Sequence, residues 1–413
     1  MDSSFRRVFK TRNFTQLWLT QILSQIASYM LTFALVLHIY TLTGSLTTIS
    51  LVIIASTLPS VFFGPFSGVF SDKVRYKTVL IVTNVLRFLV ALLLIPAAHN
   101  TLAVLEIIFL MATITQFFAP AELSSIPLIV APPQLVAANS IYMTTMYGSL
   151  ILGYGAAGPI QALIGSRWLF VLISLLYLVA SVAVYSMSDY DKKEVRRDLT
   201  LSRLANSVTS IWRSTRSGVS YIYQKKTVFS SMLKLAFGWA MFGALIVVLP
   251  GFAEKVLGIQ VQMAGVLLVA PAGIGMLVAS YLLNKNQRWE KSRVANSGFV
   301  IAGIGLLVLS FYFLYSYLTF SLLIAIFLMI IIGFAAACIY ISSQTLLHLN
   351  SEPSMRGRVF GVAAMLINLA LGVPALFVGG IADLTSPTIT LILVALVAII
   401  YGTSLFFEDT PLT

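Results

Sequence analysis

Apolar runs of about 20 residues recur along almost the whole chain, and a helix of that length spans the ~30 Å hydrocarbon layer of a bilayer. The segment 322–341, LLIAIFLMIIIGFAAACIYI, carries no charge at all. A soluble domain has about 25% charged residues; this chain has 10%, with 59% hydrophobic residues and a mean hydropathy of +0.95. In lipid the backbone must satisfy its own polar groups, which leaves helices or closed barrels. Barrel strands are ~10 residues long and alternate polar with apolar, and these runs do neither. The sequence therefore specifies an all-α integral membrane protein.

Twelve membrane helices are expected, near 14–40, 47–70, 78–97, 102–124, 138–163 and 167–187, then 227–250, 261–283, 294–315, 318–343, 358–382 and 387–407. Short connections make sequential neighbours antiparallel. The long segment 188–226 divides the chain into a six-helix bundle at 1–187, a cytoplasmic linker, and a second six-helix bundle at 227–413. With the N-terminus inside, the cytoplasmic segments collect 22 of the 26 lysines and arginines. That asymmetry sets both termini in the cytoplasm. It also accounts for the net charge of +12 without nucleic acid, since such cations face anionic lipid. In the linker, Leu201, Leu204, Val208, Ile211, Trp212, Val219 and Ile222 fall at helical spacing among Arg203, Arg213 and Arg216. That is the pattern of an amphipathic helix on the membrane surface. The N-terminal segment has no evident cleavable signal, and the single cysteine, Cys338, is expected as a small core residue.

The halves carry an internal echo. A shift of 212 places Pro59 on Pro271, Asp72 on Asn284, Lys73 on Lys285 and Asn84 on Asn296, and a shift of 219 brings Gly153 onto Gly372. Two-fold repeats of this kind are common in secondary transporters. Between the second and third helices, GPFSGVFSDKVRYKT sets Asp72 among Lys73, Arg75 and Lys77. With Gly68, Asp72, Lys73 and Lys77, this loop resembles the signature loop of the major facilitator superfamily. It departs from that pattern in having Arg75 in place of a glycine and Tyr76 in place of a basic residue. The resemblance covers the whole chain, and FFAPAELSSIPLIVAPPQLVAANS looks like the macrolide-efflux and enterobactin-exporter branch. It implies two pseudo-symmetric six-helix bundles, with Asp72 latching against the eleventh helix, where Arg356 or Arg358 is the partner. Gly68 is expected to let the second helix approach a neighbour closely. The alternative is that the loop cations only fix topology. Gly153, Gly155, Gly158 and Pro159 on the fifth helix partly resemble the glycine–proline motif of superfamily antiporters; a purely structural packing role is the alternative.

Charges inside the hydrocarbon are costly, about 2.5–3.5 kcal/mol each on insertion scales, and so point to interior or functional roles. Glu106 and Arg87 are the candidates for proton coupling, with a wetted vestibule acid and a structural interior cation as their respective alternatives. Glu122 is expected with the cytoplasmic gate charges, Lys234 snorkelling to the inner surface, and His38 as a satisfied polar residue. Gln21, Gln25, Asn84, Phe117, Trp239, Met241, Tyr340, Gln344 and Asn368 are candidates for the wall of a central cavity, suited to a bulky amphipathic substrate. No nucleotide-binding fingerprint is visible, and His, Cys and acids are too scattered for a metal site, so no cofactor is expected. The expected function is proton-coupled efflux of an amphipathic small molecule by a monomer in the plasma membrane, the inner membrane of a bacterium. The alternatives are a lysolipid or metabolite uniporter and, further off, a membrane-embedded transferase.

Overall fold

The computed structural model describes residues 7–190, 201–315 and 321–408, except for the side chains of Pro65, Val69, Asp72, Tyr147, 201–211, 312–315, Ser321 and Glu408. Among the described residues the membrane segments are helical, the form in which a backbone meets most of its hydrogen bonds locally, as an apolar surround demands. The helices are α1 (Arg12–Thr43), α2 (Leu46–Lys73), α3 (Tyr76–Ala97) and α4 (Thr101–Ile129). A 51-residue helical stretch, Leu135–Tyr185, follows; it is broken at Gly165, whose φ of 80° suits glycine, giving α5 (135–164) and α6 (166–185). Then come α7 (Leu201–Gln224), α8 (Lys226–Lys255), α9 (Ala270–Lys285), α10 (Lys291–Tyr315), α11 (Ser321–Asn350), α12 (Arg356–Leu384) and α13 (Pro387–Glu408). Among the described residues eleven stretches are long and apolar enough to cross a membrane, and the Gly165 break divides one of them, which gives twelve membrane helices there.

Several helix ends differ from the sequence expectation, α8 running to Lys255 rather than 250 and α11 to Asn350 rather than 343, and two of the differences involve proline. The segment expected as a helix from 261 opens as a short turn, Val261–Met263, and a π-helical turn, Gly265–Val269, before α9 begins. Pro271 has no N–H for the preceding turn, and a π turn absorbs such a missing bond. α4 runs through Pro120 and Pro127 to Ile129, past the expected end at 124, which moves Glu122 into the helix body.

The chain divides into two compact units. One comprises residues up to Leu35 with Leu58–Trp212; the other comprises Val36–Thr57 with Arg213 onward. In the first, α3 packs on α4 and on the α5–α6 segment, around a core that includes Phe14, Leu17, Leu80, Phe118, Ile126 and Val184. Gly153 of α5 meets α1 so closely that a Cβ there would stand 2.5 Å from Tyr29 Cβ; Gly155 and Gly158 are also buried. Gly153→Ala is expected to lower stability by about 1–3 kcal/mol, the usual cost of overpacking, read as a fall in the melting temperature of purified protein. An unchanged melting temperature would mean that α1 yields freely.

In the second unit, α10 packs on α11 and α13, α11 on α9, and α8 on α12. α7 lies against the start of α12: Ile222 is buried, and a Cβ on Gly218 would stand 3.1 Å from Arg358 O. Trp212 and Tyr223 of α7 face outward, each 72% exposed. Large apolar side chains are exposed widely, among them Val136, Phe377 and Phe407. Water would reject so broad an apolar surface; lipid accepts it.

Candidate functional site

Five helices of the first unit send polar groups into its interior. On α3, Asn84 and Arg87 are three residues apart and so share a face; they are 0% and 1% exposed. On α4, Phe118 and Glu122 are four apart, and Glu122 is fully buried. The Arg87 guanidinium lies over the Phe118 ring at 4.2 Å and the Tyr177 ring of α6 at 5.6 Å. Tyr142 of α5 donates its hydroxyl to Glu122 Oε2 at 2.8 Å. Gln21 of α1 donates to the Tyr142 carbonyl at 2.9 Å, and the Ser28 and Tyr177 hydroxyls share a bond of 2.9 Å. Asn84 donates to Leu80 O at 3.0 Å. Three atoms of this cluster, Asn84 Oδ1, Arg87 Nε and Glu122 Oε1, are buried without a hydrogen-bond partner among the described residues. The carboxylate within electrostatic reach of Arg87 is Glu122.

This arrangement corrects the expectation that Glu122 stands with the inner gate charges. Placing the helix end at 124 made a body residue look terminal. The extension to Ile129, together with the four-residue spacing from Phe118, was the signal available. Gln21 and Asn84, expected on a cavity wall, are enclosed within the unit. Gln25 is half-buried, Phe117 packs edge-on against Phe70 at 5.3 Å, and Glu106 is exposed, apart from the cluster.

The inner-gate candidates fall in both units. Lys77 donates to Met187 O at 2.6 Å and pairs with Asp189 at 3.3 Å, so the cation at the start of α3 satisfies carbonyl and charge just past α6, where a helix end attracts positive charge. Lys73 is half-buried. The Asp72 side chain, and with it the latch reading, lies outside the described residues. Gly68 has no atom within 4 Å of an added Cβ; it makes no close helix contact, contrary to expectation, because the chain beside it leaves room. Arg356 donates to Ser351 O at 3.3 Å, and Arg358 to Ser217 of α7 at 3.0 Å. Beside them Lys225 pairs with Glu352, whose hydrogen bond holds the Lys225 ammonium above the usual lysine range. These contacts tie α7 to the loop before α12.

At the far end of α12 from α7, Asp383 gathers four donors. Its Oδ1 accepts the Leu46 N–H at 2.8 Å; its Oδ2 accepts the Thr47 N–H at 2.9 Å, the Ser45 hydroxyl at 2.6 Å and the Thr47 hydroxyl at 2.7 Å. The first N–H groups of a helix have no partner within it, and here an acid distant in sequence supplies one for α2. Below this clasp Ser50 donates to Ala375 O at 2.8 Å. Added Cβ atoms on Gly379 and Gly372 would stand 2.0 Å from Ser50 Oγ and 2.4 Å from Thr57 Oγ1. The first half of α2, from Leu46 to Thr57, is bedded along α12. Sequence reasoning missed Asp383 because it lies one residue beyond the expected helix end at 382 and reads as a loop acid.

Of the remaining candidates, all in the second unit, Trp239 and Tyr340 meet. Trp239 meets Tyr340 edge-on at 5.8 Å and Phe242 at 5.6 Å, and its indole Nε1 is buried without a hydrogen-bond partner among the described residues. Met241 is buried; Gln344 and Asn368 are half-buried, and Asn368 donates to Ala364 O at 2.9 Å. Lys234 does not snorkel: it is 2% exposed and donates to Ser292 at 2.6 Å, since a partner on α10 is nearer than the surface. Asn84 and Asn296, paired by the 212-residue shift, are both fully buried.

Residues 17–373 match the model of the Major Facilitator Superfamily. A relative from Bacillus subtilis (strain 168), the uncharacterized MFS-type transporter YkuC, is 26% identical over 257 residues, 60% of this chain. The chain spans 58% of that relative's length. The solved structure of the nucleoside transporter NupG superposes with a TM-score of 0.76 at 12% identity, over 97% of this chain and all of that one. A bacterial homologue of the human lysosomal transporter Spinster gives 0.72 at 16% identity, over 99% and 97%. These solved structures, at such identities, speak for the fold, and the family match covers most of the chain. The chain belongs to the Major Facilitator Superfamily.

Proposed function

We propose that the protein is a secondary active transporter that expels an amphipathic small molecule in exchange for protons by alternating access. It acts as a monomer in the plasma membrane with both termini in the cytoplasm. The Asp383 clasp carries this reading. It joins α2 and α12, which come from opposite halves of the sequence, through hydrogen bonds that can be broken and remade as a whole. Such a polar closure suits an outer gate. The aromatic group of Trp239, Phe242 and Tyr340 suits a bulky, partly apolar ligand, and the unpartnered indole N–H offers it one donor. An inward proton supplies the drive, since a potential of 100 mV contributes about 2.3 kcal/mol per charge. The resemblance to macrolide and siderophore exporters supports the direction.

The experiment is transport by the full-length protein in proteoliposomes, with ethidium, tetraphenylphosphonium and erythromycin as probes and a pH-sensitive dye in the lumen. The expected result is uphill movement of at least one probe, with a matched proton flux in the opposite sense. Trp239→Ala should raise KM for that probe about tenfold, roughly the 1.4 kcal/mol expected of a lost aromatic contact. Downhill flux with no proton movement would favour a uniporter instead.

A further inference from the structure

A transporter of the kind proposed above needs one group that gives up and takes back a proton out of contact with bulk water. From the interior of the first unit we infer that this group is Glu122, with Arg87 as the cation that expels its proton. The inference deepens the proton-coupled reading and rests on it.

Two groups of this cluster are incomplete. A buried carboxylate is tolerated only when its lone pairs are met or when it carries a proton. Glu122 has Tyr142 on Oε2 and no partner on Oε1. A buried guanidinium likewise needs acceptors, yet Arg87 Nε has none, and the cation rests on the Phe118 and Tyr177 rings. Each group lacks what the other offers, and no hydrogen bond joins them here. Two arrangements therefore make the buried carboxyl tolerable, one by pairing its charge and one by removing it. In one, Arg87 donates to Oε1 of the carboxylate. In the other, Oε1 carries a proton and Arg87 stays on the aromatic faces, as observed.

The exchange balances. A proton from water binds Oε1, an O–H bond forms, and the carboxylate charge is removed. When Arg87 approaches Oε1, that O–H bond breaks and the proton leaves to water, while the new ion pair restores the charge. Nothing is oxidised or reduced. The titratable groups that act on Glu122 are Tyr142 from α5 and Arg87 from α3; behind them, Tyr177 of α6 faces Arg87 and Tyr29 of α1 faces Tyr142. Arg87 is the cation among them. Tyr142 links the event to the helices, because its carbonyl is held by Gln21 of α1. Glu106, exposed on the same helix, has no such cation facing it.

The test uses infrared difference titration of the full-length protein in lipid nanodiscs, which needs no transported probe. Wild type should show one buried carboxylic acid band that grows as pH falls, and Glu122→Gln should lose it. Arg87→Gln should raise the titration midpoint by about 1–3 pH units, since a nearby cation favours the carboxylate. Arg87→Lys retains the charge and should move it less, and Tyr142→Phe should raise it through loss of the donor to the carboxylate. A band that persists in Glu122→Gln, the absence of any such band in wild type, or a midpoint indifferent to both Arg87 and Tyr142 would overturn the inference. If Glu122 titrates as described but wild type moves probes without protons, the proposed function fails and the site assignment stands.

Discussion

Asp383→Ala should free the start of α2 while leaving the helices themselves intact. The backbone N–H groups of Leu46 and Thr47 have Asp383 as their acceptor, and neither has a partner inside the helix. Hydrogen bonds to a charged acceptor contribute about 1.5–3 kcal/mol each, but this carboxylate is exposed and water competes for the donors, which leaves about 1 kcal/mol for each of the two backbone bonds. Loss of about 2 kcal/mol in total would speed amide exchange across residues 45–50 roughly thirtyfold. Asp383→Asn retains one acceptor oxygen and should give a smaller effect. Hydrogen exchange read by mass spectrometry on that peptide checks the prediction. If exchange there is unchanged in Asp383→Ala, the clasp contributes nothing to closure. On the outer-gate proposal, turnover in proteoliposomes should fall with the clasp, because a gate that does not stay closed lets the gradient leak.

How much of this was legible in the sequence follows from what each segment had to satisfy. The helices were legible because hydrocarbon leaves a backbone few choices, and apolar length reports the crossing directly. The break between α5 and α6 was legible too, because Gly165 interrupts a greasy run beside Arg167. Ends were less so. Proline usually closes a helix, yet Pro120 and Pro127 lie within α4, and with that end misplaced the setting of Glu122 was lost. Arg87 stood out as the deepest charge, but its partners come from α4 and α6, and a single sequence does not say which faces of different helices meet. The same holds for Asp383, whose donors lie more than three hundred residues away. Lys234 shows the reverse error: its position near a helix end suggested snorkelling, while Ser292 on another helix offered a closer partner.

The crossing of α9 and α11 yields the largest expected effect on stability. A Cβ added to Gly333 would stand 1.9 Å from Ala272 O, and one added to Gly275 would stand 1.9 Å from Ile330 O and 2.8 Å from Phe334 N. The obstacles are backbone atoms, so no rotamer change relieves the overlap. Each glycine thus seats the backbone of the opposite helix. Between lipid-facing helices, where little hydrophobic drive exists, close approach of small residues is what supplies the attraction. Gly333→Ala must push the helices apart by more than an ångström and forfeit the contacts along the crossing. The cost should reach at least ~3 kcal/mol, the upper end for overpacking, even though alanine favours a helix by about 1 kcal/mol over glycine. Gly361→Ala on α12 is the matched control, because nothing stands within 4 Å of its added Cβ; it should be neutral or slightly stabilising. Thermal unfolding of the purified variants separates the two. Equal melting temperatures would mean that α9 and α11 are held by something other than the contact between their backbones, and the packing argument for the second unit would fail with them.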